Sequence, residues 1–197
     1  MSNLMTKTEK SPAVMVVWAI ILLISSFFMP FIIVFLIHNS FFQNREQWLF
    51  VAPGQGYITF MAGMVWIALV MFMHLFIQYR YELKFMKWIT LVLLLFSIPV
   101  FMVGATNYYY FDDKGLHYNE LKSFNHTDTY EWNSFKEVKQ VHAVRTGDNA
   151  KYLESYEFIT TSNKHFVVPY EDFRGIESRV LEKLEKNQVK VTDNYYE

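Results

Sequence analysis

Residues 13–37 contain no charged side chain, and this run constrains the fold more than any other feature of the chain. A helix needs about 20 apolar residues to cross the hydrocarbon layer, so the run can span a membrane. It is longer than the apolar core of a signal peptide and lacks a small-x-small exit, so we expect it to remain in the membrane. Pro30 and the Ser25–Ser26 pair predict a kink rather than a break, because Ser hydroxyls and neighbouring helices can satisfy the freed carbonyls.

Two further apolar segments, residues 57–77 and 88–105, predict a second and a third span. A turn-forming cluster, Pro53–Gly56, precedes the second span. Aromatic residues fall at the predicted ends, where amphipathic rings favour the membrane interface: Trp48, Tyr57, Tyr79, Tyr81, Trp88 and Tyr108 to Tyr110. The sequence therefore predicts a tail over residues 1–12 and a three-helix transmembrane domain over residues 13–106.

Composition changes abruptly near residue 107. Of the 18 basic and 19 acidic residues, only six and three lie before that point, which leaves 12 and 16 for residues 107–197. The second half therefore predicts a water-soluble domain, and its net negative charge argues against nucleic acid as a partner. The chain has no cysteine, which excludes disulfides, thiol nucleophiles and cysteine-ligated metals.

Orientation follows from basic residues beside the span ends, since these mark the cytoplasmic side. Five lie in the N-terminal tail and second loop, against three in the first loop and after the third span: Lys7, Lys10, Arg80, Lys84 and Lys87, against Arg45, Lys114 and Lys122. We therefore expect a multi-pass protein of the cell membrane with a cytoplasmic N-terminus and an extracytoplasmic C-terminal domain.

The second half has the pattern of an α+β domain. Short runs rich in aromatic and β-branched residues, separated by turn signals, predict antiparallel strands at 108–111, 116–118, 129–132, 137–145, 152–160 and 165–168, with a turn at 146–149. Apolar residues then recur at helical spacing and predict one amphipathic helix over residues 171–187. The tail from Val189 predicts either an edge strand or a frayed end.

Three segments carry a family resemblance: YFDDKGLHY at 110–118, YEWNSFKEV at 130–138, and FVVP at 166–169 leading to the helix at Phe173. Together they resemble the pleckstrin-homology-like (PH-like) domains of bacterial membrane proteins, an uncharacterised family, over roughly 85 residues. The resemblance implies an antiparallel sheet or barrel closed by one C-terminal helix, a membrane-attached setting and a protein that is not an enzyme. The acidic turn at Asp112 and Asp113 lacks the basic loop of a phosphoinositide site.

Two positions in the second span are candidate sites. His74 and Gln78 lie one turn apart on one helix face, and an ionisable group at membrane depth suggests function. The alternative is a neutral imidazole hydrogen-bonded to a neighbouring helix or a headgroup. Gly63 belongs to a group of small residues that let helices approach closely. It predicts packing against the other spans, or self-association into a homo-oligomer.

In the soluble half, the aromatic residues exceed what a small core needs, so we expect some of them, represented by Tyr130 and Trp132, to form a contact surface. The four histidines there are separated by strands and show no zinc spacing. No Gly-x-Ser-x-Gly turn is present. The sequence predicts no catalytic residue, metal or cofactor.

These observations lead to one hypothesis and one alternative. The hypothesis is a non-enzymatic, membrane-anchored binding or regulatory module, whose sheet domain recognises a protein or peptide near the membrane surface. One version is an immunity-type protein that protects against a secreted toxin. The alternative is an accessory or structural subunit of a larger membrane complex or transporter, docked through the small residues of the second span. Both require the lipid bilayer.

Overall fold

The computed structural model describes residues 2–81, 85–123, 126–145, 147 and 150–195, with the backbone alone for residues 2–12. The chain divides into two compact units. The membrane unit contains the residues up to Gln43, together with Ala52–Asn107 and Asn119–His126. The sheet unit contains Asn44–Val51, Tyr108–Tyr118 and the residues from Thr127 onward. The chain therefore enters the sheet unit three times.

The membrane unit is built from helices. They are α1 (Ser2–Ser25), α2 (Met29–Ile37) with a π-helical turn at His38–Phe42, α3 (Gly54–Arg80), α4 (Met86–Leu95) and α5 (Ser97–Ala105). Among the described residues, two helical segments are long and apolar enough to cross a membrane, Gly54–Arg80 and Met86–Ala105. A third crossing exists if the bent pair Ala13–Ser25 and Met29–Phe42 forms one span.

The first apolar run is broken where a kink was predicted. Its two helices meet at an angle of 72°. The hydroxyls of Ser25 and Ser26 each donate to a backbone carbonyl of the preceding turn, at 2.6 Å in both cases, which ends α1. Pro30 lies in the first turn of α2, where its missing N–H is not needed by the helix. The proline therefore starts a new helix instead of bending a continuous one.

The α3 and α5 helices pack closely because glycines face each other across their interface. A Cβ atom on Gly104 would lie 2.8 Å from the backbone nitrogen of Phe60 and 2.9 Å from the carbonyl oxygen of Gly56. Backbone atoms cannot move aside as a flexible side chain can. Only glycine fits this crossing, as is common where helices associate without a hydrophobic driving force.

The sheet unit contains two four-stranded sheets. Its strands are β1 (Leu49–Val51), β2 (Tyr108–Phe111), β3 (Gly115–Asn119), β4 (Asp128–Glu131), β5 (Phe135–Val144), β6 (Lys151–Thr160), β7 (His165–Pro169) and β8 (Lys190–Asp193). The strand orders are β1-β2-β3-β4 and β7-β6-β5-β8. The strands predicted between residues 108 and 168 are present, and the tail forms β8. The turn predicted at 146–149 lies mostly outside the described residues.

The sheets differ from the expected architecture in two ways. The described strands form two separate sheets and no closed barrel. In addition, β8 pairs in parallel with β5, so the second sheet is mixed rather than antiparallel. The physical reason is the helical connection: a chain that leaves β7, forms a helix and returns can bring its last strand back in the direction of β5.

The strand β1 comes from the loop that precedes α3, and sequence did not predict it. It pairs antiparallel with β2, with Phe50 opposite Tyr110. The two strands are separated along the chain by the two segments able to cross a membrane.

Aromatic side chains fill the core of the sheet unit. Phe111, Phe158 and Phe173 are fully buried and their ring centroids lie within 5.9 Å of each other. The expected single helix is two helices, α6 (Tyr170–Phe173) and α7 (Glu177–Lys186). The predicted apolar stripe is nevertheless buried across both of them, at Phe173, Ile176, Val180 and Leu184.

Candidate functional sites

His74 is held between two helices of the membrane unit. Its Nδ1 lies 2.6 Å from the Thr90 hydroxyl of α4, and that hydroxyl donates to the Met86 carbonyl at 2.9 Å. Since the Thr90 proton is already committed, His74 donates through Nδ1. Gln78 is exposed one turn away and is not part of this network. The arrangement matches the packing alternative for His74, a hydrogen bond to a neighbouring helix.

Gly63 is also engaged within the membrane unit. It is buried, and a Cβ atom at this position would lie 2.7 Å from the Phe101 ring of α5. Ala62, its neighbour, is exposed. Gly63 itself is therefore covered by a helix of the same chain, which is the packing role considered for this residue.

Tyr130 and Trp132 both pack into the core of the sheet unit. Trp132 is buried, and its indole N–H donates to the Asp113 carbonyl at 3.1 Å. The Tyr130 ring lies 4.6 Å from Phe166, and its hydroxyl accepts a 2.6 Å hydrogen bond from Lys164. Trp132 is thus buried in the core of the sheet unit, and Tyr130 packs beside that core while remaining partly exposed.

A cleft of about 620 Å³ lies elsewhere on the sheet unit, where β6 begins and β7 passes into α6. We call it the tyrosine cleft. Its lining residues are Tyr152, Leu153, Glu154, Pro169, Tyr170, Glu171 and Arg174. Two aromatic rings, a proline and a leucine supply apolar walls, and three charged side chains supply polar contacts. This combination is typical of binding sites.

The tyrosine cleft has more negative than positive charge. Two carboxylates, Glu154 and Glu171, line it against the single guanidinium of Arg174. Asp172, the next residue along the chain, has a raised pKa, first because it is partly desolvated and second because of the Glu171 charge. The cleft therefore favours a cationic group.

A second cavity, of about 350 Å³, lies at the β2–β3 turn, the end of β4 and the end of α7. We call it the lysine cavity. It is lined by Asp113, Lys114, Thr129, Glu131, Trp132, Asn133, Lys183, Lys186 and Asn187. Three ammonium groups and two carboxylates give it a net positive charge, in contrast to the tyrosine cleft.

A chain of hydrogen bonds leads from the lysine cavity into the first sheet. The Thr129 hydroxyl lies 2.9 Å from His117 Nδ1, and His117 Nε2 lies 3.0 Å from the Asp112 carboxylate. The carboxylate also accepts from the backbone N–H groups of Lys114 and Gly115. The buried His117 ring stacks on Tyr110 at 4.4 Å. These contacts fix the imidazole on both of its nitrogens.

No pattern in the sequence indicated either cavity. The lining residues come from segments far apart in the chain, and no motif connects Tyr152 with Tyr170 or Lys114 with Lys186. Among the residues that the structure describes, no cluster of three His, Asp or Glu side chains could hold a metal ion. Comparisons with protein-family models, curated proteins and solved structures find no match to this chain.

Proposed function

We propose that this protein is a non-enzymatic, membrane-anchored binding module whose sheet unit holds a protein or peptide segment in the tyrosine cleft. The observation that carries the proposal is the cleft itself, a concave site of about 620 Å³ lined by two aromatic rings and three charged side chains. Aromatic side chains provide large contact areas at low entropic cost, which suits recognition of peptides.

The position of the cleft indicates an extended ligand. Its lining includes Pro169, the last residue of β7, and β7 is an outer strand of its sheet. Val167 on this strand is 63% exposed. An extended peptide can add to an outer strand and place alternate side chains in neighbouring pockets. With Glu154 and Glu171 in the cleft, we propose that one of those side chains is Lys or Arg.

The wider setting belongs to the same proposal. Two four-stranded sheets packed against α6 and α7 support a PH-like classification of the sheet unit, although the separate sheets and the parallel β8 depart from it. The distribution of basic residues supports an extracytoplasmic sheet unit. A module in that location could bind a secreted toxin, as an immunity-type protein does. The accessory-subunit alternative has less support, because Phe101 covers Gly63.

Site-specific photo-crosslinking tests the proposal. A benzoylphenylalanine probe replaces Tyr170 in the full-length chain in its native membranes, and the matched control carries the probe at Val191, an exposed β8 residue outside the cleft. We expect a discrete protein adduct from position 170 alone. The double charge reversal Glu154→Lys with Glu171→Lys should remove that adduct, because it replaces both cation-binding carboxylates.

Two results would contradict the proposal. Identical adducts from positions 170 and 191 would indicate unspecific collisions with neighbouring proteins. An adduct that survives the double charge reversal would show that the cleft carboxylates do not recognise the partner.

A further inference from the structure

We propose that the lysine cavity is a binding site for a phosphate-type oxyanion. This site is distinct from the tyrosine cleft, with which it shares no lining residue. It also has the opposite charge preference. The oxyanion site can therefore be tested independently of the peptide site.

Positive charge is available in the lysine cavity for a bound anion. Lys183 is already neutralised, because its ammonium group lies 3.1 Å from the Asp113 carboxylate. Lys114 and Lys186 make no ion pair within the described part of the chain, yet both line the same cavity. Two unpaired ammonium groups on one concave surface favour a ligand with at least two anionic oxygens.

Two asparagine side chains of the lysine cavity are neutral hydrogen-bond donors, and they differ in availability. The Asn133 side chain lines the cavity and makes no hydrogen bond among the residues described. The Asn187 amide is used instead by its own helix, where it donates to the Lys183 carbonyl at 2.7 Å. This bond caps the end of α7 and reduces the exposed negative end of the helix. One carboxylate, Glu131, remains at the rim and opposes an anion.

The Thr129 hydroxyl is already engaged by a neighbouring side chain, because it lies 2.9 Å from His117 Nδ1. His117 Nε2 in turn donates to the Asp112 carboxylate, which can only accept. The ammonium groups of Lys114 and Lys186 therefore supply the main contacts to a bound oxyanion.

Sulfate is the appropriate first probe, because it is a compact oxyanion with two negative charges. The full-length chain in zwitterionic lipid nanodiscs is titrated with sodium sulfate by calorimetry at constant ionic strength. We expect saturable binding, weakened about tenfold by Lys114→Ala and by Lys186→Ala. Lys190→Ala is the matched control, since this exposed lysine of β8 lies outside the cavity. Glu131→Gln should strengthen binding, because it removes the opposing carboxylate.

A competition experiment identifies the source of the oxyanion. If it is a lipid headgroup, phosphatidate in the nanodisc competes with sulfate in the wild type and not in the Lys114→Ala protein. If it is soluble, inorganic phosphate competes equally in both lipid compositions. Absence of saturable sulfate binding, or equal binding by the wild type and the double variant Lys114→Ala/Lys186→Ala, overturns the proposal.

Discussion

The two units of this protein distribute their large apolar side chains in opposite ways. In the sheet unit Phe158 is completely buried, whereas in the membrane unit Phe76 is 70% exposed. Water makes burial of an aromatic ring favourable, but lipid tails solvate that ring as well as a protein interior does. The comparison shows that the same residue type stabilises one unit by being inside and serves the other as a lipid-facing surface.

The interiors differ accordingly. The membrane unit places small residues and polar contacts between its helices, as at Gly56, Gly104 and the His74–Thr90 pair. The sheet unit places interlocked aromatic rings between its sheets and helices. Close approach and hydrogen bonding therefore hold the membrane unit together, while burial of apolar area holds the sheet unit together.

The largest expected change in stability comes from replacing one buried phenylalanine of the sheet unit, with an exposed phenylalanine of the membrane unit as its control. Phe158→Ala leaves a cavity among Phe111, Phe135 and Phe173, and should destabilise the sheet unit by about 3–5 kcal/mol. Phe76→Ala should change the stability of the membrane unit little. Hydrogen exchange, recorded while the full-length chain in nanodiscs is unfolded with urea, measures the stability of both units. Comparable losses of stability in Phe158→Ala and Phe76→Ala would contradict this difference between the two units.

A second prediction concerns close approach in the membrane unit. Gly104→Ala places a methyl group against the backbone of α3 and should cost about 1–3 kcal/mol through overpacking. Gly54→Ala is the matched control, since a Cβ atom there meets nothing within 4 Å. Thermal melting in detergent, monitored by circular dichroism, measures both. An unchanged melting temperature for Gly104→Ala would show that α3 and α5 separate readily.

The sheet unit should lose stability at high pH through Tyr109. Burial, and then the charges of Asp172 and Tyr118, raise its pKa in the folded protein. Tyrosine in the unfolded chain ionises at about pH 10. The contribution of the un-ionised Tyr109 to folding stability is therefore fully present below that pH, and it declines as the pH rises toward the folded-state pKa. The decline is at most about 1.4 kcal/mol per pH unit. Urea midpoints above pH 10 should fall less steeply in Tyr109→Phe than in the wild type. Tyr195→Phe, at an exposed position, should leave the slope unchanged.

The smallest expected effect tests hydrogen bonding between membrane helices. Thr90→Val removes the acceptor of His74 and should destabilise the membrane unit by about 1 kcal/mol. In Thr59→Val, the lost hydroxyl bonded only to its own helix, at the Gln55 carbonyl, and we expect a change of a few tenths of a kcal/mol. Detergent melting distinguishes the two. Equal melting temperatures would indicate that His74 finds another partner when Thr90 is replaced.

Much of the architecture could be predicted because its signals are local. Residues 57–77 and 88–105 are apolar enough to indicate helices without any knowledge of their partners. The strands from Tyr108 to Pro169 follow from alternating aromatic and β-branched residues and from turn signals. Hydropathy and backbone preference act within a few residues, so they can be detected in the sequence.

Several features could not be predicted, because they depend on residues distant in the chain. The short segment Leu49–Val51 has no strand pattern of its own and becomes β1 only beside β2. The predicted contact residue Trp132 enters the core because Trp48 and Phe111 stack with it there. The tyrosine cleft and the lysine cavity likewise combine separate elements, and no local pattern marks them.

The sequence by itself determined that apolar helices precede an aromatic, acidic sheet domain, since composition and periodicity decide which solvent each segment prefers. Only the tertiary structure decided where the first apolar run breaks, that β8 runs parallel to β5, and which side chains line the two cavities. Those outcomes depend on backbone pairing and side-chain packing between segments far apart in the chain, and such contacts exist only after the chain has folded.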